Sequence, residues 1–344
     1  MAKKVQGQVR IAIIGCGGIS GQHAKGILAH ANLVRCGGLC DVSAENLKKR
    51  SEQLGGVAAQ YSDWKKMLAE MGDQIDAVVI CLPHHLHAPA ILDAVAAGKH
   101  VLCEKPMCIN LEEGDRIVAA VRKSGVTYMS GHNQLFMEAV QESKRLLDAG
   151  EIGAVRWIRS QDAFLAGGGK TDPFKGKWRA ELKYQGGGEL IDTGYHPTYR
   201  LLYLAGAPVV GVRASFGRFR QAIEGEDTAS VQVRFANGII GEVFTSWAMP
   251  QPYGSYQVHV IGDKGQLFGQ GNDLYVLHTG EKEPAKRSLP ASEMFVAQMA
   301  HFATCLKEGR RPLHGPEEGK AVLEVILRAA LHAGGWQQYA PLKV

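Results

Sequence analysis

Val9-Arg10-Ile11-Ala12-Ile13-Ile14-Gly15-Cys16-Gly17-Gly18-Ile19-Ser20 decides how this chain folds. Its first six residues are nearly all apolar, as in a strand buried on both faces. An amphipathic stretch over 20–30 follows and reads as a helix. Strand, glycine turn and helix together are the setting in which G-x-G-x-x-G holds a dinucleotide, here with Ser20 at the third glycine position. Gly15 and Gly17 permit a tight turn and a close approach of backbone to pyrophosphate. Beside Gly18 and Ile19, the helix N-terminus then faces the phosphate charge. A lone motif is weak in a chain of 42 glycines; its position between strand and helix gives it weight over a plain strand–helix turn.

Outward from this stretch the pattern repeats. Strands are expected over 33–40, 77–82, 99–102 and 126–130, and helices over 44–54, 89–97 and 111–124. Alternation of this kind implies βαβ units and a doubly wound parallel sheet covered on both faces, a Rossmann arrangement. Asp41 ends the second strand, about 20–25 residues past the glycines, where an acidic side chain accepts from the adenine ribose hydroxyls. A carboxylate there would face the 2′-phosphate of NADP at roughly 4 kcal/mol per contact of ~4 Å at an effective dielectric of 20. That exceeds what Lys48 or Arg50 could restore, so NAD is expected over NADP. The plain alternative for Asp41 is a turn or capping residue before 44–54.

Past a helix near 138–149 the texture changes. Strands are expected over 155–160, 209–219, 230–235, 239–246, 256–261 and 274–277, with Asn237-Gly238 as a type I′ hairpin signal. Consecutive strands imply a mostly antiparallel sheet in an α+β domain, closed by helices near 293–308 and 317–332. With 344 residues the chain exceeds one core, and the boundary is expected at 132, giving domains 1–132 and 133–344.

Composition excludes several classes. Net charge is +5 and the basic residues are scattered, clustering only at Lys3-Lys4, Lys48-Lys49-Arg50 and Arg310-Arg311. A nucleic-acid surface needs a basic stripe, so none is expected. No apolar run approaches the ~18 residues of a membrane span, and Ile11-Ala12-Ile13-Ile14 ends at once in glycine, unlike a signal peptide. Seven cysteines are an odd number, and Cys16, Cys81 and Cys103 lie in or beside apolar runs. Reduced, buried thiols in a cytoplasmic protein are expected, with no metal.

The chemistry gathers in two places. Leu82-Pro83-His84-His85-Leu86-His87 follows a strand at its C-terminal end, where open α/β sheets bind ligands. These histidines fit the lining of a nicotinamide pocket, or a helix start, better than a metal. Lys105 follows the next strand and is held by Pro106 at the same edge; lysines are rarely buried unless paired or functional. Some eighty residues on, Gly186-Gly187-Gly188 precedes Asp192 and His196. On one helix these stand at i and i+4, where a carboxylate can orient an imidazole. A helix that starts at Pro197 would break that pairing and leave a capping aspartate and a core histidine. A lysine, a histidine and an aspartate beyond a glycine-rich turn are what an alcohol-oxidising hydride-transfer site needs.

The run Pro83…His87…Ala97-Gly98-Lys99-His100-Val101-Leu102-Cys103-Glu104-Lys105-Pro106 resembles the glucose–fructose oxidoreductase / inositol dehydrogenase / rhizopine catabolism family, Gfo/Idh/MocA. Trp178-Arg179, Gly186-Gly187-Gly188, Asp192, Gly194 and His196 match its second signature. The resemblance covers nearly the whole chain. It implies a Rossmann domain, then a C-terminal α+β domain with a large open sheet that supports homodimers or homotetramers. By it Lys105 contacts both the nicotinamide ribose region and the reacting hydroxyl, His196 exchanges the proton, and Asp192 binds substrate or orients His196. Pro83, His87 and Glu104 join the cofactor site, Glu104 and Pro106 shaping the loop that holds Lys105. Two departures stand out. Tyr199 occupies a position where many polyol-oxidising members carry aspartate, and Asn133-Gln134-Leu135-Phe136 lacks an arginine common in relatives.

The expected reaction is oxidation of a hydroxyl on a sugar, sugar derivative or polyol, or the reverse reduction. Lys105 stabilises the developing alkoxide while His196 takes the proton; which is the formal base stays open, because coupled groups titrate as a unit. Hydroxyl contacts are expected from Asn133, Trp178, Arg179, Tyr195 and Tyr199. Two other readings remain: an NAD-dependent glycosidase that oxidises transiently, and a non-catalytic nucleotide-binding regulator of the same fold. Lys105, Asp192 and His196 together weigh against the second.

Overall fold

The computed structural model describes residues 4–291 and 293–333; Lys3 of the first lysine pair lies outside them. Two compact units form. Of the described residues the first comprises 4–141, 183–186, 290–291 and 293–323; the second comprises 142–182, 187–289 and 324–333.

In the first unit six strands build one sheet: β1 (Val9–Ile14), β2 (Val34–Cys40), β3 (Gln60–Tyr61), β4 (Ala77–Ile80), β5 (His100–Glu104) and β6 (Tyr128–Gly131). All pair in parallel, in the order β3-β2-β1-β4-β5-β6. Chain order reverses between β1 and β4, the switch point at which such sheets bind ligands. Five helices connect the strands: α1 (Ser20–Ala29), α2 (Ala44–Gln53), α3 (Trp64–Met71), α4 (His87–Ala96) and α5 (Leu111–Ser124). Their starts are set by side chains that accept from orphan N–H groups: Ser43 for α2, Asp63 for α3 and Asn110 for α5. Each such cap is worth about 1 kcal/mol. Gly125, in the left-handed region at φ 70°, ends α5.

The helix Met294–Glu308 packs on α1. A side chain at Gly26 would stand 2.9 Å from Met299 Cβ and from the Phe295 carbonyl, so close helix approach requires glycine there. Met299, Phe302, Ala303 and Leu306 then join Val9, Ile11 and Ile13 in one core. A second clamp is electrostatic. Asp76, just before β4, accepts from the Arg10 backbone and from its guanidinium at 2.9 Å, fixing β1 against β4.

The second unit holds β7 (Val155–Ala163), β8 (Val209–Gly217), β9 (Thr228–Phe235), β10 (Ile240–Ser246), β11 (Val258–Gly262), β12 (Gly265–Gln270), β13 (Asp273–His278) and β14 (Ala285–Ser288). Their order is β14-β13-β12-β11-β7-β10-β9-β8, and every pairing is antiparallel except β7 with β10. β9 shows why: Ala229, Val231, Val233 and Phe235 are buried while Ser230, Gln232 and Arg234 are exposed. One face is covered and one faces water. The helix Tyr195–Ala205 lies on the covered face, where Gly241 leaves room for Leu201.

The β9–β10 hairpin differs from expectation. Gly238 takes φ 86°, but no described non-glycine residue has positive φ, which a type I′ turn would require of Asn237. Gly238 N–H donates to the Phe235 carbonyl and Phe235 N–H to the Ile239 carbonyl, closing a three-residue loop with glycine in the left-handed position. No helix among the described residues is long and apolar enough to cross a membrane.

Candidate active site

The glycine turn follows β1 directly. Gly15 has φ 91°, and a Cβ there would run into the Cys81 carbonyl after β4. Gly17 and Gly18 would place a Cβ in open space, so the outer side of the turn is free for a ligand. Ile19 precedes α1 and gives it no side-chain cap, leaving the helix N-terminus to an anion. Ser20 donates to the Gly17 carbonyl at 2.6 Å, so the third motif position braces the turn. These features fit a dinucleotide pyrophosphate.

Asp41 stands beside the turn. Its Oδ2 accepts from Cys16 N–H at 2.7 Å and its Oδ1 from Ser43 N–H at 2.8 Å. Arg50, weighed from the sequence as a cation that could meet a 2′-phosphate, has other partners. It is buried, donating to Ser20 Oγ at 2.9 Å and to the Gly17 carbonyl at 3.0 Å. It is committed to the turn, and Lys48 alone of that pair is exposed.

Pro83 follows β4 and Lys105 follows β5, on the same C-terminal sheet edge as the turn after β1. Glu104 Oε2 accepts from Lys105 N–H at 3.3 Å, and its Oε1 meets His23 Nε2 at 2.8 Å. The lysine segment is thereby tied to α1, the helix of the glycine turn. His87 is buried beneath the loop, its Nδ1 2.6 Å from the Pro106 carbonyl and its Nε2 2.8 Å from that of Leu82. Burial holds this imidazole below its ordinary pKa, so near neutral pH it has one N–H for two carbonyls. His84 Nδ1 meets the Gln185 carbonyl, and His85 packs on the Tyr184 ring. No group of three or more His, Cys, Asp or Glu among the described residues could hold a metal ion. Asn133 is buried after β6, its amide 3.2 Å from Met294 Sδ.

In the second unit, Asp192 and His196 do not share one regular helix. Asp192 ends the four-residue helix Glu189–Asp192, and His196 lies in the first turn of Tyr195–Ala205. The backbone bonds shift between them: Gly194 N–H donates to Glu189 O and His196 N–H to Thr193 O. Pro197 is tolerated because first-turn N–H groups need no helical partner. Gly194 is required here, since a Cβ would stand 2.7 Å from Leu190 Cα and 2.8 Å from Thr245 Cγ2. Asp192 accepts from Arg179 Nε at 2.6 Å, and that guanidinium lies over the Trp178 ring, 4.2 Å from its centroid. His196 Nδ1 meets the Tyr199 hydroxyl at 2.7 Å. Tyr195 and Tyr199 are both fully buried.

From the sequence alone Arg50 has no assigned role in the turn, and neither His23 nor Glu189 stands out. Arg50 shares the buried face of α2 with Leu47 and Ser51, and His23 that of α1 with Ser20, Ala24 and Ile27; a large polar side chain in register with such small and apolar residues is the signal that could have found them. Glu189 is wholly buried beside Gly188. Burial, with Glu226 and Asp192 nearby, pushes its carboxyl well up despite the hydrogen bond from Thr245.

A parallel sheet in the order given, with an open glycine turn at its switch point and a lysine on the same edge, defines a dinucleotide-binding oxidoreductase class. Residues 9–132 match the family model described as "Oxidoreductase family, NAD-binding Rossmann fold", and residues 140–268 match the GFO/IDH/MocA C-terminal domain. A scyllo-inositol 2-dehydrogenase (NAD(+)) of Bacillus subtilis is 30% identical over 94% of this chain and 93% of its own length. A myo-inositol 2-dehydrogenase of Thermotoga maritima is 26% identical over 92% and 93%. The solved aldose-aldose oxidoreductase of Caulobacter crescentus, complexed with glycerol, superposes with a TM-score of 0.80 at 26% identity, over 95% of this chain and 97% of its own. The chain belongs to the Gfo/Idh/MocA oxidoreductase family, and its first unit carries that family's NAD-binding Rossmann fold.

Proposed function

We propose that the protein oxidises a hydroxyl on a sugar, sugar derivative or polyol, or runs the reverse reduction, with Lys105 and His196 handling the hydroxyl proton. Bound NAD supplies the hydride acceptor. Gly15, Gly17, Gly18 and Ile19 hold its pyrophosphate and Asp41 its adenine ribose. Pro83, His87 and Glu104 shape the nicotinamide end, and Lys105 reaches the nicotinamide ribose. The Lys105 ammonium orients the substrate hydroxyl and steadies the negative charge that develops on its oxygen. His196 takes the proton. Asp192, with Arg179 and Trp178, binds substrate or orients the imidazole, and Asn133 and Tyr195 complete the substrate side; Tyr199, expected there from the sequence, is wholly buried with its hydroxyl on His196. Residues 1–132 serve the cofactor. Residues 133–344 serve the substrate and pair through the second sheet into a homodimer or homotetramer, working in the cytoplasm.

The observation that carries this reading is Lys105 itself, following β5 on the sheet edge that bears the glycine turn. The full-length similarity to inositol 2-dehydrogenases supports the substrate class. Mixing the protein with NAD and, separately, inositols, aldoses and sugar acids tests it. Steady accumulation of NADH with at least one of them is expected. No NADH from any, and no NADH consumption with the matching ketones or lactones, would overturn the reading.

A further inference from the structure

Tyr199 has no surface accessible to solvent, yet its hydroxyl lies 2.7 Å from His196 Nδ1. The two rings meet edge to face, 5.5 Å apart and at 80°. They stand at i and i+3 of one helix, so backbone geometry holds them together. Three neighbours pin that helix. The Tyr195 ring packs against Tyr199 at 6.4 Å. Thr198 Oγ1 donates to the Gly194 carbonyl at 2.7 Å. Fully buried Arg200 donates to Ser160 Oγ at 3.1 Å, to Asp162 Oδ2 at 3.0 Å and to the Gln161 carbonyl at 3.1 Å, all on β7. The phenol therefore has a fixed position in the core, and its polar end is directed at one nitrogen of His196.

We infer that Tyr199 is a positioning residue for His196: its oxygen accepts the Nδ1–H, which leaves the lone pair on Nε2. The inference rests on the proposed role of His196 as proton acceptor and goes further by fixing which nitrogen acts. A neutral imidazole has one N–H and one acceptor nitrogen, so the partner of Nδ1 decides the chemistry of Nε2. On oxidation the substrate O–H proton passes to Nε2 while the C–H electron pair leaves as hydride to NAD, and a C=O bond forms. The Nδ1–H stays on the phenol oxygen throughout. In reverse, the imidazolium held by the same bond returns its Nε2 proton to the oxygen. Tyr199 touches His196, not the reacting carbon, and is buried too deeply in the helix to bind the sugar itself.

Tyr199→Phe keeps the ring and its packing and removes only the hydroxyl, so an unchanged unfolding midpoint serves as the folding control. Nitrogen chemical shifts of His196, read by NMR on protein without cofactor or substrate, should report the Nδ1–H tautomer in the wild type and a mixture in Tyr199→Phe. Turnover of the variant should fall about 10- to 100-fold, the usual loss when an outer partner of an active group is removed. KM for the sugar or polyol and Kd for NAD should stay within a few-fold. A wild-type histidine in the Nε2–H tautomer, or a variant with unaltered tautomer and turnover, would overturn the inference. Failure of the parent reading is separate: His196→Asn would then retain full turnover, while the tautomer measurement stands on its own.

Discussion

Arg50 donates its buried guanidinium to Ser20 and Gly17, and Asp41 accepts from Cys16, so the glycine turn is held from both ends by side chains of opposite charge. Removing the cation leaves two polar partners without it. Arg50→Met is expected to weaken NAD binding about tenfold and to cost about 2–3 kcal/mol of stability, the usual scale for a charged buried hydrogen-bond donor. Calorimetric titration with NAD and urea unfolding check the two halves. Asp41→Ala should raise Kd for NAD by about 10-fold and narrow the preference over NADP, since the proposed function sets this carboxylate against the adenine ribose. Equal losses for both cofactors would put Asp41 in the turn alone. The cysteines lie at the opposite extreme of reactivity. Burial pushes the thiols of Cys16, Cys40 and Cys108 up to about 12 and that of Cys36 to about 11. A thiol reagent near pH 8 should therefore modify almost none of the seven in the folded protein and all of them in denaturant.

At the scale of elements, Gly15 carries the plainest consequence. Alanine there must adopt φ 91° and meet the Cys81 carbonyl, so Gly15→Ala should destabilise by about 2–4 kcal/mol and abolish measurable NAD binding. Thermal unfolding with and without NAD measures both. Strand β4 was legible because an unbroken apolar run is buried on both faces, and β1 because Arg10 alone interrupts such a run. β3, only two residues long, and β14, mostly exposed and charged, carry no apolar pattern and were invisible. β12 was hidden by its glycines at 265 and 269. The break between Asp192 and His196 was foreseen only as an alternative, because Gly194 keeps helical dihedrals while its N–H reaches back to Glu189. Lys105 could be read from its strand and its proline. The ties of Glu104 to His23 and of His196 to Tyr199 could not, since they depend on side-chain direction across a folded core.

At the scale of the molecule, acid should unfold the protein in two stages. Burial lowers His314, whose Nδ1 lies 2.7 Å from that of His132, to about 4 from 6.5. A depressed histidine is neutral in the folded state and charges first in the unfolded chain, so stability falls as pH drops from about 6.5 to 4. Burial would raise Asp76, but the hydrogen bonds and charge of Arg10 outweigh it and the carboxyl titrates below its ordinary value. Its stabilisation is present above the unfolded carboxyl pKa and is lost as pH falls through the folded one. Burial lowers His87, His259 and His301 too, so His314→Gln should shrink the first stage without abolishing it and leave the second; identical pH profiles of the unfolding midpoint would refute the assignment. In the proposed function Lys105 and His196 handle one proton of one substrate hydroxyl. The measurement that tests it most directly compares kcat for Lys105→Met, His196→Asn and the double variant on a substrate the wild type oxidises, with NAD Kd measured beside it. Each single change should lose about 10²–10⁴ in turnover while NAD still binds, and the double variant should lose little more than the worse single, because the two groups act as a unit. Near-normal turnover in either single variant, or losses that multiply in the double, would contradict it.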